Sequence, residues 1–338
     1  MKFREILSVR NKSFLFCATD AGAGLFMSQI ILKLQKKNKV SVFLGDKAAI
    51  ANLNKPIKFE LYSNKRTLKE SARYILKNKI YDFIFVGTNL GASVEKEIVR
   101  INKNKIYTIS IIDHIWNPWQ RFYDYKIKKE NVFVTNKIYV ISDQTKKILI
   151  GKKIKKQIIE TVDHPYLKGL RDQKILKKPN LKLLGIPNKS KIIVYASEPP
   201  PKFNKNTNLR EIKSKKIEKK FKDLVETLNK LEHKKFFLII KRHPTEKKYF
   251  LDNEIKKLNI NYLSITSELS VLEILSISDL CIGFSSMMLL ESLTLNIKTV
   301  TLHNELYENV NKISMFNKNS LKYVNSKKEI FKFLECNL

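Results

Sequence analysis

Two short stretches of this 338-residue chain place anion-binding groups where a strand-like run gives way to a turn. In the first, Gly283-Phe284-Ser285-Ser286 ends an apolar run, and a helical run carrying one acid, Glu291, follows. Gly283 lets the chain turn tightly and a ligand approach the backbone. Ser285 and Ser286 stand at the helix start, where backbone N–H groups are unpaired and the dipole is positive, which suits a phosphate. Glu291, deeper in the helix, suits ribose hydroxyls. In the second stretch, Lys241-Arg242-His243-Pro244 closes the run "KFFLII". It brings two cations, a histidine donor and a proline that turns the chain out of the strand. Together they suit a diphosphate or a nucleoside monophosphate leaving group. Taken singly, these residues read as a helix cap, a surface acid and a strand-to-turn corner. Their order inside one α/β unit favours the nucleotide.

The first half offers a second group. Asp20 precedes Gly22 and Gly24 at a strand-to-helix joint, and the glycines permit close backbone approach. Asp20 reads equally as a helix cap and as a general base taking a proton from a hydroxyl. Asp113 with His114, ending another strand, is the runner-up pair. Trp116, Trp119 and Arg121 follow, with Phe122, Tyr123 and Tyr125. Aromatic faces stack on sugars and Arg121 suits an anionic substituent, although at least half of these rings read better as a plug on the core. Asn89, between Gly87 and Gly91, lies on a further loop. Gly22, Gly24, Asn89, Trp116, Trp119 and Arg121 are the acceptor-side candidates.

The elements that must position these residues alternate. Apolar strand-like runs ("SFLFCAT", "VSVFLG", "YDFIFVGT", "KIYTISIID", "NKIYVIS") are separated by amphipathic helical ones. This pattern predicts a parallel sheet covered on both faces. A Pro- and Lys-rich stretch near residues 165–185 interrupts it, after which "KIIVYAS", "KFFLIIKRHP", "INYLSIT", "DLCIGF" and "KTVTL" restart the rhythm. We therefore expect an α/β protein with two doubly wound, Rossmann-like domains facing across a cleft, residues 1–170 for the acceptor and 171–338 for the donor. Ligands in such sheets sit beyond the carboxyl ends of the strands.

Composition narrows the rest. No apolar run is long enough to span a bilayer, and the N-terminal stretch reads as an approach to a strand rather than a secretory signal. Cys17, Cys281 and Cys336 are odd in number and far apart, which predicts buried thiols in a reducing compartment. No metal-ligand spacing is present, so neither metal nor cofactor is expected. The formal charge of +33 is nearly all lysine, spread along the chain, and clusters such as "KSKKIEKKFK" read as solvated faces. A specific nucleic-acid reader would concentrate arginine and aromatics. The excess reads as a general compositional bias, compatible with a weak, salt-sensitive attraction to anionic membrane lipid or a phosphate-bearing substrate.

On these residues the second half resembles the donor domain of GT-B glycosyltransferases. "ISDLCIGFSSMMLLESLTLNIKTVTL" is similar to that family's strand, small-residue turn and acidic helix, with Asn296 and Lys298 where Gly and Pro are usual. "KRHP" with "SS" resembles the His-Pro and Ser-Ser motifs of bacterial sialyltransferases, Kdo transferases and CDP-glycerol glycerophosphotransferases. "ETVDHPYLKGL" resembles the segment at the GT-B domain crossover. The nonhydrolysing UDP-N-acetylglucosamine 2-epimerases share the fold and a related pattern. The resemblance implies that His243, Ser285 and Ser286 bind donor phosphate and that Glu291 binds its ribose. It also implies a metal-independent cytoplasmic transferase, some of it at the inner membrane face. Such an enzyme would move a sugar from a CMP-, UDP- or CDP-linked donor to a glycan or lipid-linked acceptor in surface-polysaccharide (capsule) synthesis. The alternatives are a UDP-sugar 2-epimerase, a glycerophosphotransferase and a non-enzymatic polyanion binder.

Overall fold

The computed structural model describes residues 1–50, 55–62, 65–77, 80–115, 117–171, 178–198, 209–243, 246, 251–310, 313, 315–316 and 321–338, without side chains for 47, 50, 209–214 and 305. The chain divides into two compact units, one built on Met1–Gly169 and one beginning at Leu170.

The first unit holds seven strands: β1 Ser13–Ala18, β2 Lys39–Leu44, β3 Glu60–Leu61, β4 Phe83–Gly87, β5 Tyr107–Ile112, β6 Lys137–Val140 and β7 Ile159–Thr161. Their order is β3-β2-β1-β4-β5-β6-β7, and every neighbouring pair is parallel. β1 shows why the pattern lacks alternation. Phe14, Leu15, Phe16, Cys17 and Ala18 are all fully buried, because helices cover both faces. On one face Phe16 stacks on Phe85 at 4.7 Å and Phe14 on Phe83 at 5.1 Å. On the other, Leu15 and Cys17 join Ile84, Val86 and Ile98. Burying each such side chain stabilises by roughly 1.5–3 kcal/mol.

The second unit adds β8 Lys191–Ala196, β9 Phe236–Lys241, β10 Tyr262–Ile265, β11 Leu280–Gly283, β12 Lys298–Thr301 and β13 Leu321–Tyr323. Their order is β10-β9-β8-β11-β12-β13, again all parallel. The long helix Leu209–Lys230 packs Ile217, Phe221, Leu224 and Leu228 onto this sheet beside Ile330 and Leu334 of the final helix, Lys327–Asn337. The expected pair of doubly wound α/β domains is present. Among the described residues no helix is long and apolar enough to cross a membrane.

In both sheets the strand order reverses beside the unit's first strand, at β1/β4 and at β8/β11. Ligands in doubly wound sheets gather at such switch points.

Candidate functional site

In the second unit the loops after β8, β9 and β11 are tied together by hydrogen bonds. The helix Met287–Thr294 starts at Ser286, whose side chain accepts from the Met288 N–H at 3.3 Å. Ser286 is thus the cap, and Ser285 is left for another task. Its N–H and its hydroxyl (2.8 Å) both donate to the carboxylate of Glu198, just past β8. A carboxylate held this way by a helix start is an anion in a phosphate-like position. Its neighbour Ser197 donates at 2.5 Å to Glu246, which also accepts from the His243 N–H at 3.3 Å. Ser197-Glu198 therefore links the His243 loop to the Ser285 loop. Burial raises the Glu246 pKa.

The Arg242 guanidinium reaches Ser264 at 2.8 Å, pairs with Asp252, and lies 3.8 Å from Glu246. An incoming phosphate would share it with two carboxylates. Lys241 donates to the backbone carbonyls of Thr266 and Leu269, so it braces β9. Pro244 lies outside the described residues. Glu291 is buried within its helix, at 4% exposure, and so is not a surface acid. Gly283 serves packing: a Cβ there would sit 3.1 Å from the Ala196 carbonyl and 3.3 Å from Leu289. The space expected for a ligand is filled by β8 and the following helix. Asn296, where glycine was the usual residue, takes a left-handed φ of 59° just past that helix. Asparagine is the commonest substitute at that cap.

In the first unit, Asp20 precedes the helix Ala21–Leu34 as its N-cap residue, but its side chain makes no capping bond. Asp113, at the end of β5, is buried and packs against Gly22. A Cβ on Gly22 would fall 2.0 Å from Asp113 Oδ2. This close approach of a carboxylate to the helix start is the physical reason for glycine here. Burial, with the charge of Asp20 nearby, pushes the Asp113 pKa up, and Arg121 opposes this from 3.9 Å. Arg121 donates to the Thr88 carbonyl at 2.5 Å, and the Thr88 hydroxyl donates to the Ile111 carbonyl at 2.8 Å. These bonds join the loops after β4 and β5.

Gly24 lies in the first helical turn, its N–H donating to the Asp20 carbonyl at 3.0 Å. Asn89 and His114 are half-buried beside these loops, and Trp116 lies outside the described residues. Trp119 has Lys152 over its ring at 4.3 Å and Tyr123 edge-on at 6.0 Å, an aromatic plug on the core.

Sequence reasoning missed Glu198 and Glu95. Buried Glu95 accepts from the Thr19 N–H (2.5 Å) and hydroxyl (2.6 Å), and burial raises its pKa. A signal for Glu198 was present, since an acid directly follows the strand "KIIVYAS". Its partner Ser285 is distant in sequence.

His164, in the segment resembling a domain crossover, is also fully buried. Neither ring nitrogen has a hydrogen-bond partner, and the ring packs against Phe26 at 4.9 Å and Tyr166 at 6.2 Å. Burial drops its pKa to about 3.

Fold and loops together define a two-unit, Rossmann-like protein of the GT-B type. No family model matches the chain, and no curated protein matches it in sequence. Solved structures do. A putative UDP-N-acetylglucosamine 2-epimerase from Listeria monocytogenes matches 96% of this chain and 87% of its own, with TM-score 0.69 and 13% identity. The UDP-GlcNAc 2-epimerase of Neisseria meningitidis, bound to UDP-GlcNAc, matches 96% and 90%, with TM-score 0.63 and 14% identity. HepE from Anabaena, in complex with UDP-glucose, matches 96% and 89%, with TM-score 0.66 and 11% identity. At these identities the likeness shows the fold. It also overturns the glycosyltransferase reading, because the epimerases among these structures favour the alternative drawn from the same motifs.

Proposed function

We propose that the chain is a nonhydrolysing UDP-sugar 2-epimerase. The observation that carries this reading is the fold likeness to UDP-GlcNAc 2-epimerases over nearly the whole chain. The local chemistry agrees with it. In the second unit, Ser285 and Ser286 at a helix start, with His243 on the neighbouring loop, suit the diphosphate of a nucleotide sugar. Buried Glu291 is the candidate for its ribose. In the first unit, Asp113 is a carboxyl group whose proton affinity burial raises, a candidate for the group that takes the C2 proton.

The reaction balances without an acceptor. A base removes the C2 proton, the C1–O bond breaks, and the nucleoside diphosphate leaves with that electron pair. The resulting C1=C2 bond is protonated at C2 from the opposite face as the diphosphate returns to C1. The glycan or lipid-linked acceptor expected from the motifs has no place in this scheme.

The test is proton NMR of UDP-GlcNAc with the protein alone in D2O. The expected result is a second, C2-inverted UDP-sugar carrying deuterium at C2, reached with no acceptor added. Folded protein that yields neither inversion nor deuterium from UDP-GlcNAc or UDP-ManNAc would overturn the reading.

A further inference from the structure

The lysine-rich run "KSKKIEKKFK" has no part in the loops above. It belongs to the long helix Leu209–Lys230, and Lys216, Lys219 and Lys220 line a cavity of about 720 Å³. That volume falls within the roughly 300–1,000 Å³ of small-molecule sites. Every described residue that lines it belongs to the second unit. Lys327, opening the last helix, also lines it, and Asp223 is the only carboxylate among its described lining residues. With Lys327 paired to Glu226, Lys216, Lys219 and Lys220 against Asp223 leave it a net positive bias.

The wall is not merely a charged surface. Buried Phe284 and Leu302 form its floor, half-buried Tyr323 supplies an aromatic face, and the His303 ring packs on Phe284 at 4.4 Å. His303 Nδ1 accepts from the Leu306 N–H at 3.3 Å, which fixes the proton of the neutral ring on Nε2. Lys220 is anchored by Asn325, whose backbone carbonyl and side-chain oxygen both accept from it. Lys327 pairs with Glu226. Two cations are therefore held in place by neighbours, while Lys216 and Lys219 stand exposed. This space is distinct from the Ser285 loop. The Phe284 side chain belongs to the core cluster under the long helix, while Ser285 bonds to Glu198.

The geometry points to a second ligand site here, for a small phosphorylated organic molecule. Its phosphate is met by Lys216, Lys219 and Lys220, and its ring lies against Tyr323, which is half-buried. Cations serve phosphate as point charges, and aromatic faces take the flat or apolar part of the ligand.

Isothermal titration of inorganic pyrophosphate and of UDP tests this, with Ser285→Ala as the parent so that the helix-start loop is impaired. Both probes should still bind the parent, UDP more tightly. Adding Lys216→Glu and Lys219→Glu should weaken both by about tenfold or more, since two attractive charges become repulsive. Both lysines are exposed, and an unchanged melting temperature verifies folding. Tyr323→Leu should weaken UDP and leave pyrophosphate unchanged. Equal affinity in the parent and the doubly reversed protein overturns the site. Pyrophosphate binding as tightly as UDP overturns the organic ligand.

Discussion

A buried histidine that cannot charge makes stability depend on pH, and His164 allows the size of that dependence to be worked out. Its folded pKa is about 3, against 6.5 ordinarily. The unfolded chain therefore binds a proton between these values that the folded chain does not. The sign follows: this position costs nothing above pH 6.5, and the folded state loses ground as pH falls below it. At pH 5 the penalty is 1.5 pH units at 1.36 kcal/mol each, about 2 kcal/mol. His164→Leu keeps an apolar side chain against Phe26 and Tyr166 and removes the proton. Both tryptophans, Trp116 and Trp119, belong to the first unit, as His164 does, so tryptophan fluorescence during urea unfolding reports that unit. Wild type should lose about 2 kcal/mol more than His164→Leu between pH 7 and pH 5. Taking the difference cancels every other titrating group and any fixed cost of the substitution. Parallel stability curves for the two proteins would refute the reasoning.

Three further outcomes follow from the loops. Gly22→Ala pushes a Cβ into Asp113 and should displace that carboxylate by about 1 Å, lowering epimerisation about 100-fold by NMR turnover. Asp113→Asn removes a buried acid whose charge burial disfavours. It should raise stability at pH 8 while turnover falls at least about 100-fold, a split visible in paired urea and NMR measurements. Glu198→Gln removes the carboxylate held by Ser285 and should tighten UDP binding by calorimetry, with weaker binding counting against the phosphate assignment.

The architecture was legible where strands are buried on both faces. "SFLFCAT", "KIIVYAS" and "DLCIGF" read as strands because their central residues, buried on both faces, are an unbroken apolar run. β3, β7 and β13 were not legible. They are two or three residues long, and β7 sits just before the Pro- and Lys-rich stretch taken as a junction. The helix start at Ser285-Ser286 was readable from glycine, serine and the apolar run after it, but not the division of labour between the two serines. That depends on Glu198, brought in by the pairing of β8 with β11. Asp113 against Gly22 was equally hidden, because the contact joins two distant strand ends and only the fold makes it.

The sheet order has a consequence for how the protein is made. In each unit the strand synthesised first, β1 or β8, ends up flanked on both sides. β1 can pair with β2 early, but its other edge stays open until β4 has left the ribosome. During that interval an apolar Phe-Leu-Phe edge is available to other nascent chains, a recognised hazard for parallel topologies. The formal charge of +33, nearly all lysine, opposes such contacts by mutual repulsion between copies.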